Sequence, residues 1–157
     1  MAKRRKMLTQ VKFNYSKKGS GKDIEVKVDL SRFEKQYGDA QFALDSAVMK
    51  DMSSYMPQRT GTFINVTKAM SASIAGSGTV VAAAPPMGRF LYEGKVMVDE
   101  KTGSPWARPS AEKVVTDRDL NYYKGNHPNV TDHWFDTAKE KHGKTWVKEV
   151  KKIAGGG

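Results

Sequence analysis

Three histidines are the first candidates for chemistry, because imidazole serves as a general base and as a metal ligand. His127, His133 and His142 are separated by six and nine residues, so no pair has the i, i+4 spacing that places two imidazoles side by side on a helix. His133 lies between Asp132 and Asp136 and next to two aromatic residues, a setting that is typical of a packed or surface side chain. We therefore expect no metal site and no catalytic histidine.

Carboxylates and a glycine-rich segment are the other possible sources of chemistry. Glu93, Asp99 and Glu100 are close in the sequence, but no nucleophile or histidine accompanies them, which favours a solvated face over an acid pair. The segment Gly19-Ser20-Gly21-Lys22 has the ending of a phosphate-binding loop, yet the first glycine and the preceding buried strand of that motif are absent. The sequence thus predicts no enzyme, no catalytic residue and no cofactor.

Length and composition predict one modest core. The chain has 157 residues, of which 38% are hydrophobic, and it contains no cysteine, so disulfides and thiolate metal sites are excluded. This composition fits reducing cytosol or a particle assembled there. No stretch approaches 18 apolar residues, and no apolar run follows the N-terminal charges. We therefore expect neither a membrane span nor a signal peptide.

Positive charge is concentrated at the N-terminus. The formal net charge is +10, and residues 1–22 hold eight basic residues and no acidic one, which leaves about +2 for the rest of the chain. Such a block is expected to be a flexible arm whose deletion, up to residue 18, leaves the fold intact. Its targets are DNA phosphates or an acidic protein neighbour, and the alternative is a solvated tail. The candidate contact residues are Lys3, Arg4, Arg5, Lys6, Lys12, Lys17, Lys18 and Lys22.

A strand and a long helix are predicted after the arm. Strict alternation over residues 23–30 indicates a half-buried strand. Apolar residues then recur at helical spacing from Phe33 to Tyr55, with a possible break at Gly38, and the helix should stop before Pro57. We expect an α+β fold in which this helix packs across an antiparallel sheet formed by residues 23–30, 62–84 and 95–116.

The second half of the chain reads as a small sheet followed by a C-terminal helix. After Gly61 a low-charge run up to residue 84 indicates a hairpin, and Met87 to Glu93 indicates a helical turn capped by Gly94. Thr131 is the expected cap of the last helix, whose apolar face is marked by Trp134 or Phe135, Ala138, His142, Trp146 and Val150. The predicted organisation is a basic flexible arm (1–22), an α+β core (23–122), and a loop with the C-terminal helix and glycine tail (123–157).

Several short motifs occur in a definite order along the chain. They are a helix ending in Asp51-Met52-Ser53-Ser54-Tyr55-Met56-Pro57, then Arg59-Thr60-Gly61-Thr62, then Pro85 to Lys95 with Phe90-Leu91-Tyr92-Glu93-Gly94-Lys95-Val96-Met97-Val98, then Thr102-Gly103-Ser104-Pro105-Trp106-Ala107, and lastly His133-Trp134-Phe135 with Ala138-Lys139, His142 and Trp146. This order resembles the minor capsid protein family of tailed phages over about residues 23–152. The middle of the chain is also similar to phage tail-completion and head–tail joining proteins.

The resemblance implies a structural virion protein of the phage neck, assembled in the host cytoplasm as a ring between connector and tail around the DNA channel. Its partners would be copies of itself and other neck and tail proteins, with the genomic DNA in the channel as an alternative target of the basic arm. Tyr92, Met97 and Trp106 are the expected subunit-interface residues, because aromatic residues and Met are enriched at interface cores; the alternative for them is ordinary core. The competing functions are a minor capsid protein elsewhere in the head and a basic nucleic-acid-binding protein.

Overall fold

The computed structural model describes residues 10–15, 24–29 and 31–155. Two antiparallel strand pairs, β1 with β2 and β3 with β4, accompany four α-helices and one short 3-10 helix in this part of the chain. The α+β class is therefore confirmed. The elements are β1 (Gln10–Tyr15), β2 (Ile24–Asp29), α1 (Ser31–Met52), the 3-10 helix (Ser53–Tyr55), α2 (Thr62–Ser73), α3 (Gly88–Glu93), β3 (Lys95–Asp99), β4 (Lys113–Asp119) and α4 (Trp134–Ile153).

The long predicted helix is confirmed and forms one side of the core. It runs without a break at Gly38 through α1 and the 3-10 helix. Met56 is extended, with φ −78° and ψ 146°, because the following proline disfavours helical backbone at this position. The main partner of α1 is helix α4, which corrects the prediction that α1 packs across a sheet. The side chains of Met52, Met56 and Trp134 are fully buried between these helices and their neighbours.

Two hydrogen bonds hold α4 against α1 and the 3-10 helix that follows it. The indole Nε1 of Trp146 donates to Asp51 Oδ2 at 2.7 Å, and the Tyr55 hydroxyl lies 3.1 Å from His142 Nε2. The predicted apolar face of the C-terminal helix is confirmed, since Trp134, Ala138 and Trp146 are its buried residues. Its predicted start is corrected, because the capping position is His133 rather than Thr131.

The N-terminal end of the α1 stripe lies at the surface. Phe33 and Tyr37 are 52% and 50% exposed, although their spacing placed them on the same face as the buried Val48 and Met52. Since α4 covers the C-terminal half of that face, periodicity alone overestimated how much of it is core.

The predicted hairpin over residues 62–84 is wrong. Gly61 does turn the chain, with φ 82°, but it leads into helix α2 instead of a strand. Two hydroxyls one turn apart on α2 hold the segment of residues 80–84: Ser71 Oγ bonds Val81 N and O at 3.0 and 3.1 Å, and Thr67 Oγ1 accepts from Ala84 N at 3.2 Å. Side chains of a helix therefore satisfy backbone groups that a second strand was expected to satisfy.

Asp45 fixes the turn that joins α2 to this segment. Its buried carboxylate accepts the amide N–H groups of Gly76 and Gly78 at 2.7 and 3.1 Å through Oδ2, and the Gln41 side chain at 2.8 Å through Oδ1. Both glycines have positive φ, 86° and 79°, a conformation that glycine adopts at low cost. The turn was predicted, but its anchor on α1 was not.

The strands form two separate pairs instead of the single predicted sheet. β2 confirms the strand predicted at residues 23–30, and its partner is β1, with Gln10 opposite Asp29 and Tyr15 opposite Ile24. β3 and β4 are the predicted strands near residues 95 and 113, and they pair with an irregularity between Lys95 and Met97. β1 lies within the predicted arm, so deletion of residues 1–18 would remove the partner of β2. The expectation that this deletion leaves the fold intact stays a prediction.

Candidate assembly surface

The three histidines do not meet. His127 Nδ1 lies 2.9 Å from the carbonyl oxygen of Met56, the His133 ring packs edge-on against Tyr92 at 4.9 Å, and His142 stacks on Trp146. Within residues 31–155 and the two described N-terminal strands, no group of three or more His, Cys, Asp or Glu side chains is arranged to hold a metal ion. Each of the three imidazole rings is therefore part of a separate packing contact within the subunit.

Tyr92 and Asp136 form the contact closest to an acid–base pair. The Tyr92 hydroxyl donates to Asp136 Oδ2 at 3.3 Å. Burial, followed by the negative charge of Asp136, raises the pKa of Tyr92 to about 12, so the phenol stays protonated and keeps donating at neutral pH. Its ring also lies edge-on to Trp134, with 4.9 Å between centroids. Through the hydrogen bond to Asp136 and the ring contact with Trp134, Tyr92 therefore holds α3 against the start of α4.

A surface pocket of about 260 Å³ lies beside Gly94. This volume is below the usual range of small-molecule sites, and one of its lining carboxylates, Asp119, is paired with Lys95. Tyr122 also lines it and donates its hydroxyl to the carbonyl oxygen of Leu91, inside the subunit. Asp119 and Tyr122 are thus engaged in contacts within the fold.

Asp99 is buried, which corrects the prediction of a solvated carboxylate row. Its side chain is fully inaccessible, while Glu93 and Glu100 are exposed as predicted. Its oxygens accept the Arg108 guanidinium at 3.0 and 3.3 Å and the backbone N–H groups of residues 101, 102 and 108 at 2.9, 3.1 and 3.2 Å. The hydrogen bond from Arg108, reinforced by these backbone amides, holds the pKa of Asp99 well below its usual range.

This carboxylate organises the connection between β3 and β4, residues 100–112, here called the Trp106 loop. The backbone closes on itself next to Asp99, with Asp99 N donating to Ser104 O and Gly103 N donating to Asp99 O, both at 2.8 Å. Lys113 Nζ donates to the carbonyl oxygen of Pro105, and Trp106 N donates to Ser104 Oγ at 3.1 Å. The backbone on both sides of Trp106 is therefore held in place.

The Trp106 side chain itself is 85% exposed. A tryptophan carries a large apolar area, and exposure of one on an anchored backbone is a feature of interaction surfaces. Val114 and Val115, on the adjoining strand β4, are 40% and 53% exposed. The Trp106 loop and β4 together form the candidate assembly surface.

The three predicted interface residues lie in different environments. Trp106 is exposed, Met97 is buried in β3 at 6% exposure, and Tyr92 is half-buried against α4. Met97 and Tyr92 thus contribute to packing within the subunit, as the alternative for them proposed. The predicted interface role is retained in the proposal below for Trp106 alone.

Most of the predicted arm contacts lie outside the described residues. Lys12 belongs to β1, opposite Lys27 of β2. The other seven lie outside the described residues: Lys3, Arg4, Arg5, Lys6, Lys17, Lys18 and Lys22.

Sequence reasoning missed the residues that support Trp106. Arg108 and Asp99 are nine residues apart in a turn-rich segment, and no periodicity connects them. The sequence signal in this segment pointed to Trp106 and not to its supports. It was the position of an isolated tryptophan in a loop rich in Gly, Ser and Pro.

No protein-family model, curated protein or solved structure matches the chain. In the part of the chain that the structure describes, no helix is both long and apolar enough to cross a bilayer.

Proposed function

We propose that this chain is a structural subunit of a phage neck, which joins head to tail as a ring of copies between connector and tail. The proposal begins from the order of motifs that resembles the minor capsid and head–tail joining families. The observation that carries it here is the Trp106 loop, because it presents a large apolar side chain on a backbone fixed by the ion pair of buried Asp99 with half-exposed Arg108.

Preorganisation is what makes such a loop suited to assembly. Binding loses less entropy when the contacting side chain already sits on an ordered backbone. Tryptophan is also among the residue types that most often dominate interface energetics. A neighbouring subunit that buried Trp106 would gain this contact without ordering the loop first.

A ring requires two different faces on each subunit. In a closed heterologous assembly, a patch on one copy meets a different patch on the next copy. The Trp106 loop supplies one such patch, and the exposed β4 strand next to it extends the contact area. The complementary patch belongs to the neighbouring copy or to the adjoining neck protein.

The test is the effect of Trp106→Ser on assembly. Loss of an interface tryptophan typically weakens association by about 2 kcal/mol or more, roughly thirtyfold, so sedimentation velocity should show rings of wild-type protein and monomers of the variant at the same concentration. Tyr123→Ser is the matched control, since Tyr123 is also an exposed aromatic residue, 57% exposed, outside the loop. The control should assemble like wild type.

Particles made without the protein separate the remaining functions. Electron micrographs should show filled heads and finished tails that are not joined, and complementation with Trp106→Ser should leave them unjoined. Failure of head formation would instead favour a capsid role. Normal joining by the Trp106→Ser variant would contradict the proposed surface.

A further inference from the structure

Helix α4 carries a row of exposed lysines along one side. At 100° per residue the five members fall within an arc of about 100°. Buried Ala138 and Trp146 lie outside that arc, and buried Trp134, about five turns before Lys152, lies at its edge. This surface, here called the lysine face, consists of Lys141, Lys144, Lys148, Lys151 and Lys152.

Ordinary helix energetics do not account for this row. Lysines in the last turn interact favourably with the helix dipole, which explains Lys151 and Lys152. Lys141, Lys144 and Lys148 lie one to three turns earlier, and like charges three or four residues apart destabilise an isolated helix. Glu140, four residues before Lys144, offsets this repulsion at that one position. Within residues 31–155, no ion pair shorter than 4.0 Å involves any of the five.

The helix that carries the lysine face has a fixed orientation. Trp134 Nε1 donates to Ala82 O at 2.8 Å at one end, and Trp146 Nε1 donates to Asp51 at 2.7 Å further along. Lys141 also lies over the Tyr55 ring, with 4.7 Å from Nζ to the centroid. Helix α4, which carries these charges, is therefore anchored to the core of the subunit.

We propose that the lysine face binds the phosphate backbone of double-stranded DNA without reading its sequence. Lys141 to Lys152 span eleven residues, about 16 Å at 1.5 Å per residue, which is the axial length of about five phosphates on one strand. The lysine side chains carry compact positive charges, which suit contact with the phosphate backbone of DNA.

An acidic protein surface is the less favourable occupant. Lysine is depleted at the cores of protein–protein interfaces, where a flexible side chain must be ordered and desolvated. Phosphates accept lysine at the solvated groove edge with release of counterions. None of these five lysines belongs to the basic N-terminal segment of residues 1–22, and the proposal does not depend on the ring proposed above.

The test is a salt titration of binding to a 30-base-pair duplex, measured by fluorescence anisotropy with the full-length chain. The variant is Lys144→Gln/Lys148→Gln/Lys151→Gln. Each lost phosphate contact lowers the slope of log affinity against log salt by about 0.9, so the triple variant should lose roughly two to three units of slope. Its helix content and melting temperature should match wild type, because the replaced side chains are exposed.

A control with the same charge change separates the lysine face from net charge. Lys35→Gln/Lys50→Gln/Lys68→Gln removes three exposed lysines of α1 and α2, and its slope should stay within about half a unit of wild type. Equal loss of slope in both variants would overturn the proposal, because the effect would then belong to net charge. The proposal would also be overturned if the wild-type protein bound an acidic polypeptide but did not bind the duplex at low salt. Ring formation should be unchanged in the lysine variant, so this result and that of Trp106→Ser are independent.

Discussion

Removal of the Asp45 carboxylate should measurably destabilise the chain, although none of the ion pairs within residues 31–155 involves Asp45. Asp45→Ala leaves the N–H groups of Gly76 and Gly78 without their acceptor. An unsatisfied buried donor costs about 1–3 kcal/mol. Gly78 is exposed and can bond water, while Gly76 is half-buried, so most of the cost falls on one amide.

We therefore expect Asp45→Ala to lower the free energy of unfolding by about 2 kcal/mol, which corresponds to a Tm about 4–8 °C lower in a chain of this size. Asp45→Asn is the matched control, because its carbonyl oxygen can still accept both amides and Gln41 can rotate its own amide. The Asn variant should lose about half as much or less.

Urea unfolding followed by tryptophan fluorescence is a suitable assay, since Trp134 and Trp146 are buried and report loss of the core. Hydrogen exchange should locate the effect, with the Gly76 amide exchanging faster in Asp45→Ala than in wild type. An Ala variant within about 0.5 kcal/mol of wild type, or an Asn variant as unstable as Ala, would refute the assigned role of the carboxylate.

Three further outcomes are expected. Gly88→Ala should destabilise the fold, because a Cβ there would lie 2.5 Å from the carbonyl carbon of Ala83; a thermal melt equal to wild type would show that this approach relaxes freely. Burial raises the pKa of Tyr92 and of Tyr122 to about 12, while unfolded phenols ionise near pH 10. Between these pH values the two phenols lose their protons in the unfolded state but keep them in the folded state, so stability should fall as pH rises from about 10 to 12. Tyrosinate absorbance at 295 nm should therefore appear at a higher pH in the folded protein than in urea. Trp134→Phe should lower the free energy of unfolding by about 1–3 kcal/mol, because a carbonyl oxygen in the 80–84 segment loses its indole donor; urea denaturation checks this, and an unchanged midpoint would exclude that bond as a stabilising contact.

The helices with a buried stripe were predictable from sequence. Val48 and Met52 on α1 and Ala138 and Trp146 on α4 recur at helical spacing and are buried as expected. Gly94 also ends α3 in the left-handed region, with φ 67°, as its position after a short apolar segment indicated.

Residues 62–84 were not predictable by the same reasoning. Their Ser, Thr and Ala content suits a hairpin, but Thr67 and Ser71 are four residues apart and face one side of a helix. Their hydroxyls serve as partners for the backbone of Val81 and Ala84. A hydrogen bond between a side chain and a distant backbone group leaves no periodic signal in the sequence.

The candidate surface was predictable only in part. Trp106 was identified by residue type, whereas the burial of Asp99 was missed because its neighbours Glu100 and Lys101 are charged and exposed. Asp99 is buried because Arg108 and three amides replace its water, which is a tertiary arrangement. Met97 and Tyr92 share the chemistry of interface residues, and composition cannot separate an interface from a core.

The pairing of α1 with α4 has a consequence for synthesis of the chain on the ribosome. The apolar face of α1 is complete once residue 52 has been made, but Trp134 and Trp146, which cover it, come about a hundred residues later. At about 5–20 residues per second, this face stays uncovered for roughly 5–20 seconds. Throughout that interval the nascent chain exposes Met49, Met52 and Met56, a flexible apolar surface of the kind that chaperones bind, and completion of the last helix ends the exposure.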